Sequence, residues 1–503
     1  MINKLKNYLD VFVFSIIFGF ITHGFMILNK LPNSDDIVNL VSENDMLKSG
    51  RWFLKYASSI SGDISIPWVI GTISIVVISI VACIIIDILD ITDIRYKVLL
   101  IMFMQTFEAV GATFIYMFTA DAYLFSMLLA VMGVLCVKNN RYIIGIMCMT
   151  FSLGIYQAYI AFSMGLFALL IFKYCMDNSK SVKEIIKDGL SYIMSVGTSL
   201  ILYYVILKFL LYINDVTLLE YQGIGDVDPI SLILSIVYRA QRAVIGFVKY
   251  FIVTQIRREE YLLMGLHVGA IALAGYQFVY VIIKDKVYKQ ISRFSITILS
   301  VGMMPICFAG IYLFTDNSTH IHSLMIYSMV LLFIAIILVL QKYDNKKYYS
   351  KVSGKLIWSS IIILVLTVYQ QYLFTNQTYF LQHLNYESTY AHATSIMSRM
   401  SNKDGFNEKM PIYIVGTIDK NRLYTQEEFE VIYENTIISK FATIHEYSIH
   451  HFIEKYIGFE INTATVEQQQ QVLNSQEFKT MGNYPNSNSI EVIKGVLVVK
   501  LGD

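Results

Sequence analysis

The sequence predicts an α-helical protein that crosses the membrane many times and ends in a small α/β domain. Three observations carry this. Of its 503 residues 55% are hydrophobic and 15% charged, a balance too apolar for a soluble chain of that length. Apolar runs of about 20 residues recur along it, the helical length that crosses a hydrocarbon core of roughly 30 Å. From Thr375 onward the texture changes to polar helix-like stretches and short β-rich runs.

About eleven runs meet the length criterion. In order they are Val11–Leu28, Pro67–Ile86, Val98–Phe118, Ala122–Val137, Tyr142–Leu153, Ile155–Phe172, Leu190–Leu211, Tyr261–Ile283, Ile296–Phe314, Ser323–Leu340 and Leu356–Phe374. The first follows Lys4 and Lys6 as in a signal peptide, but it is long and lacks a small-residue cleavage site, so it is expected to be a retained helix. The fifth and sixth form one unbroken apolar stretch. Splitting it at Gly154 sends both basic ends, Arg141 and Lys173, to the cytoplasm, as the positive-inside rule prefers.

With that split the short loops sort by charge. Those carrying Arg95 and Lys97, Lys138 and Arg141, Lys180 to Lys187, Lys284 to Arg293, and Lys342 to Lys355 fall inside; those around Ala120, Gly154 and Asn317 carry no Lys or Arg and fall outside. The expected arrangement is a multi-pass protein of the cell membrane with a cytoplasmic N-terminus. Three long polar regions, 29–66, 212–260 and 375–503, then lie on the extracytoplasmic face, where chemistry is to be sought. The domains expected are a transmembrane module over 1–374 and an extracytoplasmic α/β domain over 375–503. In the latter, Tyr379–Ser401 and Val466–Gln476 read as helical and Pro411–Val415 as a strand, while Ser489–Leu501, with Gly495 between two apolar runs, reads as a hairpin.

A net charge of +1 supplies no field to gather nucleic acid. The five cysteines lie in or beside apolar runs without C-x-x-C spacing, which indicates neither a disulfide framework nor a zinc site.

The first outer loop carries Asn33, Ser34, Asp35 and Asp36, then Gly50, Arg51 and Trp52. Between them Ile37, Leu40, Val41, Met46 and Leu47 have the spacing of a short interfacial helix, with Ser34 or Asp35 placed to cap it. A carboxylate partly shielded from water can take a hydroxyl proton as general base. Aspartates also cap helices, and Arg51 could anchor at headgroup level. Asp121, with Tyr123 beside it, opens the fourth run either as a cap or as a second catalytic carboxylate. Glu108 sits within the third run, where an ionisable group is costly, and Lys208 is a candidate partner.

The second outer loop leads into a helical stretch from Ile230 to Ile256. There Arg239, Arg242, Gly246 and Lys249 recur at spacings of three, four and three, and Arg257 returns to the same azimuth. Such a stripe can receive a phosphate, or it can snorkel towards anionic lipid.

Taken together, these segments resemble the bacterial GtrII-type glucosyltransferases, membrane glycosyltransferases of the GT-C type. The resemblance rests on Asn33-Ser34-Asp35-Asp36, Gly50-Arg51-Trp52, Pro67-Trp68-Val69-Ile70-Gly71, Asp121-Ala122-Tyr123 and Ser152-Leu153-Gly154-Ile155-Tyr156-Gln157-Ala158-Tyr159. It implies a GT-C-like module, a polyprenyl-phosphate-linked sugar donor, a surface glycan acceptor, and inversion at the anomeric carbon. Asp35 or Asp36 would be the base, with Asp35 the preferred choice. Arg51, Arg239, Arg242 and Lys249 would meet the donor phosphate; Trp52, Asp121, Tyr123, Tyr156 and Gln157 would orient substrate. The resemblance calls for no metal and no cofactor, and it implies a polyprenyl-phosphate sugar synthase and a flippase upstream. Two other classes compete: a lipid-linked oligosaccharide flippase or transporter, which needs no base, and an assembly partner of a cell-wall machine.

Overall fold

The computed structural model describes residues 8–219, 234–315, 321–348, 350–418 and 448–502. Among these, ten helices are long and apolar enough to cross a membrane, and Tyr142–Ile155 is a shorter apolar helix. They fall on the runs expected from hydropathy, and the chain is a multi-pass membrane protein.

Four local outcomes differ from expectation or refine it. The stretch from Tyr142 to Asp177 is two helices, Tyr142–Ile155 and Ile160–Asp177, joined through an extended Tyr156 and a single turn at Gln157–Tyr159. The third run is interrupted at Phe107, whose ψ of 133° ends Ile94–Thr106 before Glu108–Ile115 begins. The last run does not stop at Phe374. No glycine, proline or capping signal intervenes, and helix Lys351–Ser401 continues without a break for 51 residues. The interfacial helix between Asp36 and Gly50 does not form: helix Ser34–Val38 is only five residues long, and the next element is a single turn at Leu47–Ser49.

The chain divides into two compact units. One comprises 1–28, 43–114 and 119–376; the other comprises 29–42, 115–118 and 377–503.

In the first unit, helices Ala120–Lys138 and Tyr142–Ile155 are joined by a three-residue turn, which makes them antiparallel neighbours. Glycine lets them approach closely: a Cβ on Gly145 would stand 2.8 Å from the carbonyl oxygen of Gly133. Further along the pair, the Ser126 hydroxyl donates to the Ser152 carbonyl and the Ser152 hydroxyl donates to that of Ser126, each at 2.8 Å. Antiparallel packing thus brings the beginning of one helix, with Tyr123, to the end of the other, with Tyr156.

The second unit contains a three-stranded sheet. Strand β1, Ile412–Val415, runs parallel to β3, Val496–Lys500, and β2, Ile490–Ile493, pairs with β3 in the antiparallel sense. Lys494 and Gly495, with φ of 50° and 78°, form the two-residue turn of the β2–β3 hairpin. Alternate strand residues feed two apolar clusters. Ile412, Ile414, Leu497 and Val499 face one with Ile37, Ile396 and Phe452; Val496 and Val498 face the other with Ala464 and Val472. Burial of Ile37 in the first cluster therefore anchors the carboxylate loop.

Candidate active site

In the second unit, helix Ser34–Val38 is capped by Asn33, whose side-chain oxygen accepts the Asp36 N–H at 2.8 Å; neither Ser34 nor Asp35 is the cap. That frees both carboxylates of the capping role, and they sit in unlike environments. Asp36 is buried, paired with the Lys30 ammonium, and accepts the Phe118 N–H at 3.0 Å. Asp35 is half-buried, and its carboxylate makes no hydrogen bond or ion pair among the described residues. Burial, and secondarily the charge of Asp36, holds its pKa above the ordinary aspartate value. One carboxylate is tied into an ion pair and a backbone hydrogen bond, and the other is left with raised proton affinity. That division suits a structural acid beside a general base.

In the first unit, the remaining motif residues of the early chain gather around Arg51. Gly50 takes a φ of 78°, closing the turn from Met46, and a Cβ there would stand 2.7 Å from the Tyr203 hydroxyl. That hydroxyl donates to the Gly50 carbonyl at 3.0 Å, and Gln157 Nε2 donates both to it, at 3.0 Å, and to the Ser49 carbonyl, at 3.3 Å. Arg51 Nη1 donates to the Tyr123 hydroxyl at 2.7 Å. Its guanidinium lies 5.0 Å from the Tyr156 ring centroid and 5.6 Å from that of Tyr123, and the two rings stack at 4.1 Å. A planar cation resting on stacked aromatic faces is fixed in orientation by them, and it places a positive charge at the junction of three motifs. Trp52 packs on Phe151 and over Gly154, where a Cβ would stand 2.6 Å from the indole. Gly154 thus serves close packing, and the helix break falls at Tyr156.

Asp121 lies in the first turn of Ala120–Lys138, whose cap is Thr119, and its Oδ1 accepts the Ala122 N–H at 2.8 Å. The side chain is buried, and its Oδ2 makes no hydrogen bond among the described residues.

The basic stripe is built differently from the sequence expectation. Helix Ile236–Val248 gives way to a π-helical segment, Lys249–Thr254, so Arg257 does not return to the stripe's azimuth. Arg239 and Arg242 donate through Nη1 to the Thr315 carbonyl at 2.8 and 2.7 Å, capping the end of helix Ile311–Phe314. Gly246 serves that contact as well, since a Cβ there would stand 2.5 Å from the Tyr312 ring. Lys249 is exposed in the π-helical segment. The beginning of the expected helix, 230–233, lies outside the described residues. Glu108 pairs with Arg258 at 2.5 Å rather than with Lys208, which instead lies over the Tyr204 ring.

Sequence reasoning missed Lys30, Tyr203 and Arg258. The only available signal was Lys30, six residues before Asp36; the other two are distant in sequence from their partners and carry no motif.

An arginine clasped by stacked tyrosines in the multi-pass first unit, and a divided carboxylate pair in the second, are the features of a membrane protein equipped for group transfer or ligand binding. The sequence profile of the family described as Glucosyl transferase GtrII matches residues 24–333, more than half the chain and a span holding every candidate site residue named above. The chain belongs to the GtrII glucosyl transferase family and is a glycosyltransferase. No curated protein and no solved structure matches it.

Proposed function

We propose that this glycosyltransferase moves glucose or a similar hexose from a polyprenyl-phosphate-linked donor to a cell-surface polysaccharide or related glycan. The reaction takes place on the outer face of the membrane and inverts the anomeric centre. The acceptor hydroxyl gives its proton to Asp35 as its oxygen bonds to the anomeric carbon, and the bond from that carbon to the phosphate oxygen breaks to release polyprenyl phosphate. Asp36, neutralised by Lys30, holds the loop and is not the base. Arg51 is the primary donor-phosphate ligand, and Tyr123, Tyr156, Gln157 and Trp52 shape its surroundings. Arg239, Arg242 and Lys249 supplement its positive charge. A polyprenyl-phosphate sugar synthase and a flippase supply the donor.

The observation that carries this reading is the contrast between Asp35, half-buried with raised proton affinity, and its ion-paired neighbour Asp36. A flippase would have no use for such a base. The test is Asp35→Asn in cells lacking the chromosomal gene: loss of the sugar from surface glycan at unchanged membrane abundance supports the reading, and normal glycan sinks it. The charge asymmetry of the short loops supports the orientation. A reporter enzyme fused after Asp503 should accordingly be active only outside the cell.

A further inference from the structure

Part of the contact between the C-terminal region of the second unit and the carboxylate loop is made by a short segment, helix Ile449–Phe452 continuing into the π-helical turn Ile453–Ile457. Lys455, on that turn, donates through Nζ to the carbonyl of Val38 at 2.7 Å and reaches that of Ile37 at 3.4 Å. These are the last carbonyls of the helix that carries Asp35 and Asp36, where a cation is favoured by the helix dipole. From the other side, Gln382 Nε2 donates to the Pro32 carbonyl at 2.6 Å, fixing the approach to Asn33. The carboxylate helix is therefore gripped at both ends by residues more than 340 positions away in sequence.

Tyr456 follows Lys455 on the same turn. Its ring stacks on Phe452 at 4.8 Å with the planes 1° apart, and it stands 6.1 Å from the ring of Tyr386. Packing alone would be met by phenylalanine, as it is one turn earlier at Phe452. Yet the Tyr456 hydroxyl is withdrawn from solvent and makes no hydrogen bond among the described residues. A buried hydroxyl left unpaired costs free energy, so its presence calls for a partner that arrives with a ligand. The hydroxyl also lies within electrostatic reach of Asp36, and that negative charge, after burial, keeps the phenol protonated. A protonated phenol is a hydrogen-bond donor. π-Helical turns of this kind are frequent at functional sites.

We propose that Tyr456 is an acceptor-binding residue, its hydroxyl donating to a hydroxyl or ring oxygen of the acceptor sugar whose neighbouring hydroxyl is deprotonated at Asp35. The inference rests on the reading of Asp35 as base. The acceptor is the substrate that must lie against the base, and its hydroxyls and ring oxygen are hydrogen-bond acceptors for a protonated phenol. The donor phosphate, by contrast, calls for a cation.

The test uses the full chain in membranes, with polyprenyl-phosphate [14C]glucose as donor and surface polysaccharide isolated from gene-deleted cells as acceptor. Tyr456→Phe keeps both ring contacts and removes one hydroxyl. The expected result is an acceptor KM raised roughly tenfold, the order of one neutral hydrogen bond, with the donor KM unchanged. An unchanged acceptor KM overturns the assignment, and so does an equal rise in both KM values, which would mark a general disturbance of the fold. Asp35→Asn in the same assay separates the two ideas. If that variant stays active the base assignment fails whatever Tyr456→Phe shows; if it is inactive while Tyr456→Phe is normal, only the acceptor role fails.

Discussion

Arg51 Nη1 donates to the hydroxyl of Tyr123 at 2.7 Å, joining the first long loop to the opening turn of a membrane helix 72 positions later. The same guanidinium rests on Tyr156, from the break between the next two helices. Three motifs that are weak singly thus become one cluster.

Lysine keeps the charge of Arg51 but loses the planar stack and the second N–H fork. Arg51→Lys is expected to lower sugar transfer by ~10²-fold, the usual scale for removing a preorganised donor from developing negative charge. Tyr123→Phe, which keeps the stacked ring, should cost far less. Initial rates in membranes at matched protein level check both, and equal losses would assign the guanidinium to packing.

The two adjacent aspartates should separate by experiment. Asp36→Asn breaks the ion pair with Lys30, whose side chain is 21% exposed, and should destabilise the protein by about 1.5–3 kcal/mol, the scale of a hydrogen bond to a charged group. Asp35→Asn disturbs no pairing and should leave stability within about 0.5 kcal/mol while abolishing transfer. Thermal unfolding in detergent beside the transfer assay gives the comparison.

A pH profile tests the same residue differently. The base works only when ionised, so activity is full above the Asp35 pKa and is lost as pH falls through it. Because burial and then the Asp36 charge raise that pKa, the acid limb should lie above the ~3.9 of an unperturbed aspartate. In Asp36→Asn the limb should move to lower pH, because one of the two raising influences is gone. A limb that stays in place would remove Asp35 from the rate-determining proton transfer.

The Glu108–Arg258 pair lies buried at the break in the third membrane helix, with the Arg258 guanidinium 4.8 Å from the Phe374 ring centroid. Glu108→Ala should cost about 3–5 kcal/mol by leaving a buried guanidinium unpaired. Glu108→Leu combined with Arg258→Met should recover most of that, because removing both charges removes the desolvation penalty as well. Melting temperatures of the single and double variants decide whether the pair is structural.

Much of the bundle was legible because a hydrocarbon core demands long apolar helices, and such runs announce themselves. The split between Tyr142–Ile155 and Ile160–Asp177 was legible through the charges at its ends. The site was legible only as a roll of residue types. Asp35 and Asp36 are indistinguishable as letters, and their difference arises because Lys30 and the Phe118 N–H reach one and not the other. The stripe of Arg239 and Arg242 was legible only in part for a related reason: spacing shows a shared helix face but not what that face meets, and here both guanidinium groups reach the Thr315 carbonyl.

By itself the amino-acid sequence determined that the chain is a helical membrane protein, where most of its helices run, and which polar residues are conspicuous among them, because each of these follows from local composition and period. Only the tertiary structure decided that Asn33 caps the carboxylate helix, that Arg51 sits on Tyr123 and Tyr156, and that Lys455 and Gln382 grip the loop of Asp35. Those depend on contacts between residues far apart in the chain, and the electrostatic character of a carboxylate is set by what stands within a few ångströms of it.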